Sequence, residues 1–257
     1  MFEKERETAT RAARSAGDLL KQKFGNVQHI GKKGETDLVT EADLAAEKLI
    51  LEMLRIDCPK DNILSEEAGA LAGSSARTWI IDPLDGTTNF AHGFPFFAVS
   101  IALEIEKEMV LGVVYNPFME EFFEARKGEG AFLNHQPIHV SHAGHLKESL
   151  LATGFPYDIE QKSHRIFEWH KRMTIASRGV RRAGSAAIDM CYVAAGRLDG
   201  LWEEGLKPWD TAAGAVIVLE AGGRLTTCED EMFTPYRKSV IACTPLIHKE
   251  MVNALNG

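Results

Sequence analysis

Residues 79–89 read WIIDPLDGTTN, and the fold turns on how this stretch is read. Thr78 to Ile81 is β-branched and apolar, as a buried strand is, and Pro83 and Gly86 then interrupt regular pairing. Asp82 and Asp85 are therefore expected on a tight turn just beyond a strand end, where ligands bind in open α/β sheets. Two carboxylates on such a turn suit Mg²⁺, which takes oxygen ligands and leaves positions for a substrate phosphate. Gly86 and Thr87 follow with backbone N–H groups that can face an anion. Asp, Gly and Thr also make ordinary turns in which the aspartates only cap backbone groups, so a functional reading needs further carboxylates.

The chain has 257 residues, enough for one large core or two closely packed halves. Its net charge of -8 and pI near 5.6 argue against a surface that coats nucleic acid, whose affinity comes from Lys and Arg neutralising phosphates. An acidic protein that acts on anionic phosphates needs cations in its site, and metal ions would supply them. Cys58, Cys191, Cys228 and Cys243 lie far apart without C-x-x-C spacing and read as reduced, mostly buried thiols. The first twenty residues lack the apolar core of a secretory signal, and no stretch approaches the roughly 18 apolar residues of a membrane span. The expected location is cytoplasmic, with no membrane partner.

Ala9, Ala12, Ala13, Ala16, Leu19 and Leu20 recur at helical spacing and predict a helix ending near Gly25. A second helix starts with a capping-box-like pair, Thr40 and Asp43, and buries Ala46, Leu49, Ile50, Met53 and Leu54 before Pro59 ends it. Residues 31–40, GKKGETDLVT, read as a mobile loop that closes over substrate or, equally, as a plain connector. Three strand-like runs between Phe97 and Ala125 predict an antiparallel meander, with further β character at Asn134 to Val140 and Leu150 to Thr153. Asp158 to Arg172 is expected as a surface helix. Helices around Ala187 to Ala194 and Trp209 to Val216 then alternate with strands at Leu201 to Glu203, Arg224 to Thr226 and Val240 to Cys243. A seam near residue 145 would divide the chain into a helix-and-sheet half, 1–145, and an α/β half, 146–257. Periodicity alone gives only mixed α and β.

More acids stand at element ends: Glu66 and Glu67 close the ILSEE run, and Asp43 and Asp210 begin helices, where a capping role is as good a reading in isolation. Taken together, SEEAG (65–69), WIIDPLDGTTNF (79–90) and PWDTAAGAVIVLEAGG (208–223) resemble, in order and spacing, the inositol monophosphatase family of metal-dependent phosphatases. DLVTEAD (37–43) and RRAGSAAIDMCYVAAGRLDG (181–200) extend the resemblance from the first helix to the last strand. It implies an α+β fold, a five-layer α/β/α/β/α sandwich, in which the N-terminal half carries most metal ligands.

The resemblance also implies roles. Glu66 would bind a first metal, Asp82 would bridge, and Asp85 and Asp210 would bind a second, while the Leu84 carbonyl and Thr87 hydroxyl complete the first site. Asp43 would accept a hydrogen bond from Thr87 and so orient the attacking water, making Asp43, Thr87 and Glu66 the catalytic set. Glu67 is expected to be structural. The implied cofactor is Mg²⁺, two or three ions with the third near Glu66, and Li⁺ would inhibit. The substrate would lie against Asp85, Gly86, Thr87, Gly184, Ser185, Ala186, Glu203 and Asp210, although Ser185 reads equally well as a helix N-cap. Glu203 would accept hydroxyls of the alcohol.

Inositol 1-phosphate is the expected phosphate monoester, with fructose 1,6-bisphosphate, histidinol phosphate and a 3′-phosphonucleotide as alternatives. The family also implies a homodimer. A phosphatase with an aspartyl nucleophile would need D-x-D-x-T, which D-x-x-D-G-T does not provide. A regulatory binding protein on the same fold is the non-enzyme reading; the presence of every ligand favours the enzyme. His135, His139, His142 and His145 lack a metal-binding spacing and read as polar surface, while Arg178, Arg181 and Arg182 are expected to meet either phosphate or a second subunit.

Overall fold

The chain opens with two helices that each bury one face, α1 (Glu3–Lys23) through Ala9, Ala12, Ala13, Ala16 and Leu20, and α2 (Glu41–Asp57) through Ala42, Ala46, Ile50 and Leu54. The computed structural model describes residues 2–25, 30–32, 38–156 and 158–257. Between the helices, β1 (Ile30–Lys32) and β2 (Leu38–Thr40) pair antiparallel, Ile30 opposite Thr40. The ends of the segment read above as a loop are thus strands, each too short to give an alternating signal; residues 33–37 lie outside the described residues.

β3 (Asn62–Ser65), β4 (Gly69–Leu71) and β5 (Arg77–Asp85) come next, followed by a single short helix, α3 (Thr87–Ala91). The expected meander is then made by β6 (Ala98–Ile105), β7 (Glu108–Asn116) and β8 (Glu121–Arg126), and β9 (Gly130–Leu133) and β10 (Gln136–Ile138) extend it. These eight strands form one sheet in the order β10-β9-β8-β7-β6-β5-β3-β4. β3 runs parallel to β5, and β5 antiparallel to β6. Residues of β6 and β7 are buried almost without a break, because helices cover both faces of the sheet centre.

The remaining elements are β11 (Leu150–Thr153), α4 (Ile159–Ala176), β12 (Gly179–Arg181), α5 (Ala186–Ala194), β13 (Gly200–Glu204), α6 (Pro208–Glu220), β14 (Arg224–Thr226), β15 (Ser239–Cys243) and α7 (His248–Asn256). Their strands make a second sheet, β12-β11-β13-β15-β14. Thr211 to Val218 of α6 are all buried, which fits a helix that is apolar on every side. It packs beside α5 and touches β5 to β9 of the large sheet as well as β14 and β15 of the small one. Side chains such as Val216 and Ile217 there contribute about 1.5–3 kcal/mol each by leaving water. α4 and α7 close the outer face of the small sheet around Trp169, Met173, Trp202 and Met251. The layers are therefore α1 and α2, the large sheet, α5 and α6, the small sheet, and α4 with α7: the five-layer sandwich.

Candidate active site and metal centre

The reading of Asp82 and Asp85 as a turn beyond the strand is corrected by the structure: both belong to β5. Asp82 pairs with Ser100 and Asp85 with Ala98, so β5 holds one residue more than β6 over this interval, a β-bulge. Pro83, with no N–H to give the ladder, falls inside it. The bulge turns the strand end so that Asp82, Leu84 and Asp85 all line one cavity. Asp82 Oδ1 accepts from Leu84 N at 3.0 Å. Asp85 Oδ2 accepts from the Ser185 hydroxyl at 2.5 Å and from Ala187 N at 2.8 Å. Gly86 follows with φ 92°, and a Cβ there would stand 3.0 Å from Phe96 O and 3.2 Å from Gly184 O; both conformation and space require glycine.

Thr87, the first residue of α3, places its hydroxyl 2.9 Å from Asp43 Oδ1 and 3.0 Å from Leu84 O. Asp43 is fully buried in the capping box of α2, where its Oδ2 accepts from Thr40 N at 2.8 Å and from the Thr40 hydroxyl at 2.5 Å. The helix-cap reading and the functional one thus hold for the same carboxylate, one oxygen each. Glu66 lies just past β3, its N–H donating to Ile81 O at 3.2 Å. Asp210 occupies the first turn of α6 and accepts from Lys207 N at 2.6 Å. Glu66, Asp82, Leu84, Asp85, Thr87 and Asp210 come from three separate segments and line the same cavity, of about 280 Å³.

Gly184, Ser185, Ala186 and Glu203 form the opposite wall of that cavity, together with Asp189 and Gly154. Ser185 is indeed an N-cap, accepting from Ile188 N at 3.3 Å, while its hydrogen goes to Asp85. Asn89 Nδ2 ties this wall to the large sheet, reaching Phe96 O at 2.7 Å and Ala183 O at 2.8 Å. Arg182 lines the cavity, and Arg178 and Arg181 do not. His135, His139, His142 and His145 are exposed, as expected.

Sequence reasoning missed Asn89, Asp189 and Glu47. Glu47 Oε1 accepts from the Ser65 hydroxyl at 2.5 Å, from Glu67 N at 3.1 Å and from Ala68 N at 2.9 Å, and so clasps the turn that carries Glu66. A signal existed: Glu47 falls on the apolar stripe of α2 with Asp43, Ala46 and Ile50, where a carboxylate must be paired.

The electrostatics point to a cation. Withdrawal from water raises Asp82 well above the ordinary carboxyl range, and Glu66, Asp85 and Asp210 raise it further by repulsion. Asp85 is pushed up to about 6, chiefly by burial and then by Glu66 against the opposing Ser185 hydrogen bond. Asp210, although partly exposed, is raised well above its usual value by desolvation and by Asp85, Glu66 and Glu203. Among the described residues no Lys or Arg pairs with Asp82, Asp85 or Asp210, and no three His, Cys, Asp or Glu side chains form a ready-made ion cage. The acids ring a cavity instead of meeting. Carboxylates, one carbonyl and one hydroxyl are an all-oxygen donor set, which fits a hard divalent cation that keeps waters and takes phosphate oxygens as its other ligands.

The sequence profile of the inositol monophosphatase family matches residues 2–256. The chain is 47% identical over 251 residues to an inositol-1-monophosphatase of Synechocystis sp., covering 97% of this chain and 88% of that one. It is 42% identical to the Nus factor SuhB of Haemophilus influenzae, covering 96% and 94%. Among solved structures it superposes on the extragenic suppressor protein suhB from Bartonella henselae with a TM-score of 0.94 at 41% identity, covering 97% of each chain.

Proposed function

The chain belongs to the inositol monophosphatase family, and we propose that it hydrolyses phosphate monoesters, with inositol 1-phosphate as the preferred substrate and Mg²⁺ as cofactor. The observation that carries this reading is the convergence of Glu66, Asp82, Asp85 and Asp210 from three segments on one cavity, where their repulsion calls for a divalent cation. Glu66, Asp82, the Leu84 carbonyl and Thr87 would hold one ion, and Asp82, Asp85 and Asp210 another; a third near Glu66 belongs to the same proposal. Bound ions supply positive charge for the phosphoryl oxygens and acidify the attacking water.

The chain's own groups supply position. Asp43 takes the Thr87 hydrogen and leaves the Thr87 lone pairs facing the cavity. The backbone of Gly86 and Thr87 opens α3 beside the phosphate position, and Gly184, Ser185 and Ala186 bound it from the small-sheet side. Glu203 accepts hydroxyls of the leaving alcohol, and an acceptor left unmatched by an alcohol without hydroxyls discriminates against it. Hydrolysis proceeds without a phosphoenzyme, through in-line attack by water. Li⁺, hard but singly charged, inhibits by taking an ion site. A homodimer in the cytoplasm completes the reading; no helix among the described residues is long and apolar enough to cross a membrane.

The test is phosphate release from inositol 1-phosphate, fructose 1,6-bisphosphate, histidinol phosphate and a 3′-phosphonucleotide, each with Mg²⁺, with EDTA, and with Mg²⁺ plus Li⁺. Preference for another ester would keep the site and change the substrate. A second reading, a regulatory binding protein, is supported by the name Nus factor SuhB carried by a relative at 42% identity, and absence of turnover on every ester would favour it.

A further inference from the structure

Among the described residues, two buried acids of the cavity accept no hydrogen bond. Asp189, in the first turn of α5, is 2% exposed, and Glu203, on β13, is 9% exposed. Among the described residues neither side chain accepts a hydrogen bond or stands within ion-pair distance of a cation. Their oxygens are not sealed in the core as those of Glu104 and Glu204 partly are; they face the cavity. Arg182 shares the rim and its charge favours the ionised form of both acids, but it is exposed, lies over the Phe155 ring at 5.4 Å and makes no ion pair with either. Buried polar groups are otherwise almost always satisfied, so two open acceptors on one wall point to a ligand that brings the donors.

The wall is also shaped for this purpose. A Cβ at Gly154 would fall 1.9 Å from Glu203 Oε1 and 2.5 Å from Oε2. Gly154 thus leaves the space in which the Glu203 carboxylate lies, and its role there is spatial, since no left-handed backbone conformation occurs at this position. Ser185, the N-cap of α5, and Ala187, two residues before Asp189, are tied to Asp85, which fixes the start of α5 and Asp189 relative to the metal side of the cavity.

We propose that Asp189 is a specificity-determining residue that, with Glu203 set in place by Gly154, accepts hydroxyl hydrogens from the alcohol half of the substrate and so selects esters of polyhydroxylated alcohols. This rests on the phosphatase reading above and adds Asp189 and Gly154 to it. Hydroxyl groups both donate and accept, and so match this wall in either protonation state of its two acids. A hydroxylated ring presents several donors to it at once.

The experiment compares inositol 1-phosphate with 4-nitrophenyl phosphate, whose leaving group carries no aliphatic hydroxyl, in the wild type and in Asp189→Asn. The substitution preserves shape and replaces one acceptor oxygen by a donor. The kcat/KM for inositol 1-phosphate is expected to fall about tenfold, as the loss of one well-made hydrogen bond does, while 4-nitrophenyl phosphate stays within about twofold. An equal change on both substrates, or none on either, overturns the proposal and leaves the phosphatase reading standing. Gly154→Ala, which pushes Glu203 out of its place, is expected to shift the same ratio in the same direction. Independently of any variant, wild-type enzyme is expected to prefer inositol 1-phosphate over cyclohexyl phosphate by about tenfold or more; equal kcat/KM values also overturn it. A wild type that turns over none of these esters removes both readings together.

Discussion

Thr87 Oγ1 lies 2.9 Å from Asp43 Oδ1 and 3.0 Å from Leu84 O, yet it has one hydrogen to give. The carboxylate is the stronger acceptor, so the hydrogen goes to Asp43. The Leu84 carbonyl and the Thr87 lone pairs are then free for the cation and the water of the proposed reaction. Burial raises Asp43 from its ordinary range, but hydrogen bonds from Thr40 and Thr87 oppose this and favour the ionised acceptor. Thr87→Val and Asp43→Asn are expected to lower kcat by about 10²–10⁴-fold, the range for a group that directs proton transfer, while Thr87→Ser keeps most activity. Steady-state kinetics at saturating Mg²⁺ would check this, and a Thr87→Val enzyme of wild-type kcat would refute the role.

Glu47 acts at one remove from the chemistry. Because one of its oxygens holds Ser65, Glu67 and Ala68, Glu47→Ala should loosen the turn bearing Glu66 and raise the Mg²⁺ concentration for half-maximal activity by about 10–100-fold. Glu47→Gln retains an acceptor oxygen and should fall between. Titration of Mn²⁺ binding by electron spin resonance gives a readout separate from turnover; unaltered affinity in Glu47→Ala would show that the turn holds itself.

Much of the fold was legible because its signals are local. The alanine stripe of α1, the Thr40–Asp43 cap and the three meander strands all appear where spacing predicts them. What resisted reading was set by tertiary packing. Pro83 reads as the end of a strand, yet pairing of Asp85 with Ala98 carries β5 past it through a bulge. β1 and β2 pair with each other, and β2 also packs on α2 and α3, contacts that three-residue strands do not announce in sequence. The acids of the proposed metal site stood out because turn and helix-end signals surround them, whereas Asp189 sits within a run otherwise apolar, AAIDMCYVA, and only the cavity shows what it faces.

Removal of one repelling acid should separate folding from ion binding. Asp82→Asn keeps an oxygen to accept from Leu84 N and removes a group already raised far by burial and by its acidic neighbours. In EDTA the variant should melt at or above the wild-type temperature, each ~1 kcal/mol of relieved repulsion being worth about 2–4 °C in a chain of this size. Mg²⁺ should then raise the melting temperature of the wild type and not of the variant, and Mg²⁺-dependent activity should be nearly lost in both Asp82→Asn and Asp210→Asn. Unchanged activity in both would sink the metal assignment.

The pH dependence of the metal-free protein follows from the raised acids. Burial, then Asp189 and Asp85, push Glu203 up to about 8, and burial pushes Asp85 to about 6. Between the ordinary values, 4.5 for Glu203 and 3.8 for Asp85, and these folded values the native state holds more protons than the unfolded one, so stability falls as pH rises, by up to about 1.4 kcal/mol per pH unit for each retained proton. The Asp85 share is spent by about pH 6 and the Glu203 share by about pH 8. His248, lowered by burial, works in the opposite sense, its contribution growing as pH rises toward the ordinary histidine range. Glu203→Gln isolates the larger effect: in EDTA its stability should decline less steeply than that of the wild type between pH 5 and 8. Saturating Mg²⁺ should flatten the wild-type curve by favouring the ionised carboxylates beside the ions. Chemical denaturation at pH 5, 6.5 and 8 would decide it, and a wild-type protein in EDTA that lost no more stability than Glu203→Gln across this window would show that the Glu203 carboxyl titrates like an exposed one.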